Sequence, residues 1–182
     1  MEVKILIAIL AGIVLSAYLY RRMTNWKHVR RRDSAKRVAK RIAQIQEPGQ
    51  VFAYLRKIDP FVFEELLLDA FEACEIKVIR NQRYTGDGGV DGHITFDGHV
   101  IPIQAKRYRQ HISLEHVRQF AALVERRHAP FGLFIHTGLT GKGSYQAAQQ
   151  SSVLFISGER LIRLLRRDPE YIHALLRNRI GV

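Results

Sequence analysis

Val90-Asp91-Gly92-His93-Ile94-Thr95-Phe96-Asp97-Gly98-His99-Val100-Ile101-Pro102-Ile103-Gln104-Ala105-Lys106 is the stretch that decides the fold. Asp97-Gly98 is a preferred pair for a two-residue type I′ hairpin turn, because both positions need positive φ. If Phe96 pairs with His99 across it, the numbers of opposing residues sum to 195. Ile94 then faces Ile101, Gly92 faces Ile103 and Val90 faces Ala105, a wholly apolar face that belongs to a core. The other face pairs Thr95 with Val100, His93 with Pro102 and Asp91 with Gln104, and Lys106 follows two residues on.

Asp91, Gln104 and Lys106 are thus expected on one sheet face. Asp91 and Gln104 Oε1 are hard oxygen ligands suited to Mg²⁺, and the backbone carbonyl of Ala105 could supply a third. Lys106 beside such a metal would help an attacking water lose its proton and offset charge building on a phosphate. Glu64 could add a carboxylate if its helix packs across the same face. The pattern equally describes a lysine–aspartate pair on a solvated sheet face with Gln104 as filler, and spacing alone does not choose.

Working outward, Asp59 reads as an N-cap with Pro60 at the first helical position. Phe63, Leu66, Leu67, Ala70, Phe71 and Cys74 recur at helical spacing, with Glu64 at the stripe's edge and Glu65 and Glu72 pointing away. Residues 76–84 read as a strand, followed by a glycine-rich turn at Thr85-Gly86-Asp87-Gly88-Gly89. Beyond the hairpin come a helix over 113–127, a buried strand over 131–135, a polar helix over 144–150 and a buried strand over 153–156. Helical segments around 161–165 and 171–176 close the chain. Gly138-Leu139-Thr140-Gly141-Lys142-Gly143-Ser144 has two residues between its first glycines and no hydroxyl after the lysine, so it is not a phosphate-binding P-loop.

The chain has 182 residues, 29 Lys plus Arg, 17 Asp plus Glu and a net charge of +12. One cysteine, Cys74, excludes an internal disulfide framework and cysteine-based zinc sites. Of the excess charge, +8 lies in residues 1–47 and +4 in residues 48–182. Residues 5–20 carry no charge and would span roughly 24 Å as a helix, somewhat short of a bilayer core of roughly 30 Å. Tyr18 and Tyr20 end this run and ten Lys and Arg follow by Arg41, opposed only by Asp33. By the positive-inside rule this pattern predicts a single-pass N-terminal membrane anchor, with the arginines and everything after them cytoplasmic. The expected organisation is a transmembrane anchor over 1–22, a basic juxtamembrane helix and linker over 23–50, and a globular domain over 51–182. A bacterial inner membrane is the expected site.

Phe63-Glu64, Arg83 to Gly92 (RYTGDGGVDG) and Gln104-Ala105-Lys106-Arg107-Tyr108 closely resemble the Mrr-like restriction endonucleases of the PD-(D/E)xK nuclease superfamily, in which Gln-x-Lys replaces (Asp/Glu)-x-Lys. The likeness continues through Gly132–Gly138 to Leu161–Leu165 and covers roughly residues 58–167. It implies an α/β fold, the restriction-endonuclease-like αβββαβ core, with a mixed central sheet flanked by helices. It implies a catalytic core of Asp91, Gln104 and Lys106, a metal environment completed by Glu64, and Mg²⁺-dependent hydrolysis of DNA. Asp87, His93, Arg107, Tyr108, Arg109 and Lys142 are candidate DNA contacts. DNA, membrane lipid and a second copy of the chain are the expected partners, and no small-molecule cofactor is expected. A non-catalytic DNA-tethering module and a branched-DNA resolvase are the alternatives. His136 stands where the family commonly has a small polar residue, and the sequence assigns it no role.

Overall fold

The computed structural model describes residues 2–81 and 89–181; in its first helix, side chains are described at 9, 10, 12–16, 18, 19, 26 and from 29 onward. The order is α1 (Glu2–Ala43), α2 (Pro48–Leu55), α3 (Pro60–Ala73), β1 (Lys77–Arg80), β2 (Gly92–Phe96), β3 (His99–Lys106), α4 (Leu114–Arg126), β4 (Gly132–His136), α5 (Lys142–Gln149), β5 (Val153–Ile156), α6 (Gly158–Leu165) and α7 (Pro169–Ile180). The strands form one mixed sheet in the order β1-β2-β3-β4-β5. β1, β2 and β3 run antiparallel, whereas β3, β4 and β5 are parallel.

The hairpin forms as its turn residues require. Asp97 and Gly98 both take positive φ, 46° and 78°. The register runs from Phe96↔His99 to Gly92↔Ile103 as expected. Pro102 falls opposite His93, in a non-hydrogen-bonded pair of the hairpin, so its missing N–H breaks no bond to β2. Asp59 caps α3, its carboxylate accepting from the N–H groups of Phe61 (2.9 Å) and Val62 (3.2 Å).

Two cores flank the sheet. On one side Ile94, Ile101, Ile103, Ala105, Leu133 and Ile135 pack against α3, α6 and α7. On the other, Phe134, Val153 and Phe155 pack against Val117, Phe120 and Val124 of α4. Gly132 is forced by this second contact, since a Cβ there would lie 2.4 Å from Val124 Cγ2 and 2.8 Å from the Phe120 ring.

Val90 departs from the expected alternation. It is buried with Val117 and Phe120 rather than on the Ala105 face. The cause is a β-bulge: Asp91 N–H donates to Ile103 O at 2.8 Å, so Asp91 and Gly92 both stand opposite Ile103. One extra residue on one strand reverses the facing of everything before it.

Glu65 departs as well. Expected to point away from the apolar stripe, it is 3% exposed. The far side of α3 is covered by the C-terminal half of α1, whose Ala35, Val38 and Ile42 join the α3 core. The basic helix thereby gains a packing partner that its own pattern did not name. Pro48 and Gly49, at the end of the linker expected over 23–50, instead begin α2, which buries Val51 and Leu55.

Residues 5–20 fall within the single helix α1, and Ile9, Leu10, Ile13, Val14, Leu15, Tyr18 and Leu19 on it are exposed. Among the described residues, no helix is long and apolar enough to cross a membrane.

Candidate active site

Four elements meet at the open end of the β2–β3 hairpin. α3 carries Glu64 and β3 carries Gln104, Ala105 and Lys106. The bulge preceding β2 carries Asp91, and the C-terminal half of α1 brings Arg31 over the Phe61 ring at 3.9 Å.

The bulge decides how these groups meet. It swings Asp91 to the α3 side, where its Oδ2 accepts from Ala105 N–H at 2.7 Å. In an unbroken ladder that N–H would bond a β2 carbonyl; the carboxylate takes its place and closes the end of the sheet. The expected meeting of Asp91 and Gln104 as cross-strand neighbours is therefore not what forms. Gln104 is in register with Phe134 of the second core, and its Nε2 donates to Gly89 O at 2.8 Å. Gly89 takes φ +88°, and a Cβ there would lie 2.7 Å from Gln104 Nε2. Glycine is required at that position on both counts. Because the carbonyl of Gly89 demands a donor, the amide orientation is fixed and Oε1 faces inward, buried without a partner among the described residues.

Glu64 and Asp91 act on each other directly. Burial first, and then the negative charge of Asp91, push the Glu64 carboxyl up to about 8, with Lys106 and Arg31 opposing. Burial likewise raises Asp91 to about 6, opposed by the Ala105 N–H and by Lys106. Lys106 is therefore close enough to both carboxylates to favour their charged forms. Glu64, Glu65, Leu68, Arg80, Asn81, Val90 and Asp91 line a cavity of about 20 Å³, room for roughly one water-sized particle. Its floor is rigid. Arg80 bonds Glu65 (3.0 Å), Asp69 (2.5 Å) and Glu72, and Arg32 of α1 adds contacts to Asp69 and Glu72 at 3.6 and 3.7 Å.

A divalent cation fits this donor set. Two half-buried carboxylates, Glu64 and Asp91, have their charged forms disfavoured, and the buried Gln104 Oε1 on the adjacent strand lacks a partner among the described residues; each is a hard oxygen donor of the kind such a cation takes. Among the described residues no group of three or more His, Cys, Asp or Glu gathers as a metal cluster.

The structure sorts the remaining candidates. Arg107 turns inward, its Nη1 donating to the carbonyls of Arg56 (3.3 Å) and Ile58. The Tyr108 hydroxyl is 2.5 Å from His116 Nδ1, and burial raises its pKa. His93 Nε2 lies 2.7 Å from Arg127 Nη1, away from Asp91. Arg109 and Lys142 are exposed beside the C-terminal ends of β3 and β4. Asp87 lies outside the described residues. His136 is fully buried. Its ring meets Phe134 and Phe155 edge-on, and burial holds it neutral with a pKa lowered to about 4. It is a packed core histidine. Sequence reading did not single out Arg80 or Arg31, because what each one touches lies on other elements.

A family model described as Restriction endonuclease, of the Mrr catalytic type, matches residues 55–165. The chain belongs to the Mrr-type restriction endonuclease family. Within reach of this family, the chain is 28% identical over 141 residues to the type IV methyl-directed restriction enzyme EcoKMrr of Escherichia coli strain K12, covering 73% of this chain and 43% of that enzyme. The MspJI restriction endonuclease, solved in complex with a 27-mer oligonucleotide, shares the fold. The superposition has a TM-score of 0.50 at 22% identity and covers 74% of this chain and 35% of that one. The chain spans less than half the length of either relative. As a member of this Mrr-type family it carries a restriction-endonuclease-like nuclease domain, and its Gln104-Ala105-Lys106 lies on β3.

Proposed function

We propose that this chain is a metal-dependent DNA endonuclease in which Glu64, Asp91, Gln104 and the Ala105 carbonyl hold Mg²⁺ and Lys106 serves the attacking water. The observation that carries this reading is the meeting, at one bulged strand end, of two half-buried carboxylates that raise each other's cost of ionising, Glu64 and Asp91, with Lys106 close enough to act on both. When bound, the cation polarises the phosphodiester and offsets the charge that builds on it. The chain's own groups do the rest. Lys106 favours charge on both carboxylates and supplies a positive group toward a phosphate in the site. The Ala105 N–H fixes the orientation of Asp91, while the Arg80 network keeps the cavity from collapsing. One such site cuts one strand, so a double-strand break calls for a second copy of the chain.

The N-terminal half of α1 is proposed to attach the chain to a lipid bilayer with the nuclease domain in the cytoplasm. Its support is a row of exposed apolar residues, Ile9 to Leu19, followed at once by the basic residues 21–41. Co-flotation of the full chain with anionic vesicles, lost when Ile9, Ile13 and Leu15 become Gln, tests it; a chain that stays in the soluble fraction counts against it.

The decisive experiment incubates the full chain in mild detergent with supercoiled, linear and four-way-junction DNA, with Mg²⁺ or EDTA. Mg²⁺-dependent nicking that Lys106→Ala and Asp91→Ala abolish, with DNA binding retained, is the expected result. Nicking by Lys106→Ala at the wild-type rate overturns the assignment. Salt-sensitive DNA retention indifferent to EDTA and to Asp91→Ala would instead mark a tethering module.

A further inference from the structure

Two segments beside the site leave the C-terminal ends of parallel strands β3 and β4, where ligands of open α/β sheets bind. They are laced together. Thr137 Oγ1 donates to Tyr108 O at 2.9 Å. Leu139 N–H donates to Gln110 O at 2.9 Å, and Ile112 N–H donates to Leu139 O at 3.0 Å. The segments touch at Gly138, where a Cβ would lie 2.5 Å from Gln110 O and 2.6 Å from Tyr108 Cβ. From below, Arg56 Nη2 donates to Thr137 O at 2.7 Å. The backbone of Leu139 is thus held on both sides, yet its side chain is 57% exposed.

A lone exposed leucine needs no explanation. This one is different in its setting. Between Lys106 and Ser113, and between Thr137 and Tyr145, every charged residue is basic; Arg107 turns inward to the carbonyls of Arg56 and Ile58, which leaves Arg109, Lys142 and His111 exposed on the rim. A ligand that fits must offer phosphates to the rim and an apolar surface to the same two segments. A free phosphate lacks the second, and one leucine is too small an apolar patch to hold a protein partner. Duplex DNA has both, with base faces reachable from the minor groove once a step is parted.

We infer that Leu139 is a wedge that enters the minor groove and parts a base step beside the phosphate to be cut. This rests on the nuclease reading above and adds a source of specificity. The chain should favour steps that are cheap to open, such as TA or CA, or a mismatch, over G·C-rich steps. No base-edge contact is needed for that preference.

The test is binding of the full chain, in mild detergent and EDTA, to duplexes carrying 2-aminopurine at a TA step, at a mismatch or within a G·C run. Wild type should raise 2-aminopurine fluorescence, most at the mismatch and least in the G·C run. Leu139→Ala should bind several-fold more weakly, lose the fluorescence rise and no longer rank the duplexes, while the salt dependence of binding stays unchanged. Leu139→Lys should keep or gain affinity and still lose the rise. Arg109→Ala and Lys142→Ala should instead lower the salt slope by about 1 each, as phosphate contacts do. A fluorescence rise and ranking that survive in both Leu139 variants overturn the wedge and leave the nuclease reading standing. Absence of wild-type duplex binding at low salt overturns both.

Discussion

Replacing Arg80 by Met keeps most of the side chain's volume and removes the guanidinium that holds three carboxylates of α3. The loss is not shared evenly. Glu72 is 41% exposed, so water replaces its partner at little cost. Asp69 is 15% exposed and retains Arg32 at 3.6 Å. Glu65, at 4% exposure, lies too deep for water to take over from the Arg80 Nε bond at 3.0 Å. Removing one member of a buried ion pair costs about 3–5 kcal/mol, chiefly through the charge left behind. For a chain of this size each kcal/mol shifts the melting temperature by about 2–4 °C. Arg80→Met should therefore melt roughly 6–20 °C lower. Thermal and urea denaturation of the full chain measure this. Because the largest share of the cost falls on Glu65's charge, adding Glu65→Gln to Arg80→Met should recover part of the loss. A drop under about 2 °C, or a double variant no more stable than Arg80→Met, would refute the reasoning.

Glu64 and Asp91 give a pH dependence with a definite sign. Their pKa values are raised in the folded chain to about 8 and about 6, so the native state keeps protons that the unfolded chain releases. Stability without added metal should fall as pH rises, from the ordinary carboxylate range up to about 8. Glu64→Gln should flatten the decline between pH 6 and 8, the window Asp91 has already left; a melting curve series that still falls there in Glu64→Gln would count against it. Glu72 runs the other way. The Arg80 hydrogen bond lowers its pKa, so its contribution is present above the unfolded value and is lost as pH falls through the folded one; Arg80→Met should shrink that acid-side loss in the same melting series. Gly132→Ala should cost about 1–3 kcal/mol by overpacking against Val124 and Phe120, readable as a lower urea midpoint at unchanged slope.

Much of the fold is local and was legible in the chain. Asp97-Gly98 dictates its own turn, and period-two alternation then sets the register as far as Gly92. Asp59-Pro60 starts α3 because the cap and the fixed φ act within one helical turn. The apolar runs of β4 and β5 are buried on both faces, as parallel strands between helices must be. The candidate site residues were named from motif and spacing, each at the end or edge of an element.

What the tertiary structure decided is where those residues point. Alternation carried past Gly92 put Asp91 beside Gln104; the bulge, in which Asp91 N–H also reaches Ile103 O and the Asp91 carboxylate takes the Ala105 N–H, turned Asp91 toward Glu64 and Val90 into the other core. Helical periodicity likewise gave α3 one buried side, and α1 buried the second, taking Glu65 with it and making Arg80 necessary. A sequence states periods and preferences that hold within a few residues of each other. It does not state which distant helix covers a face, nor where a ladder takes one residue too many, because those follow from contacts made only when all the elements are in place.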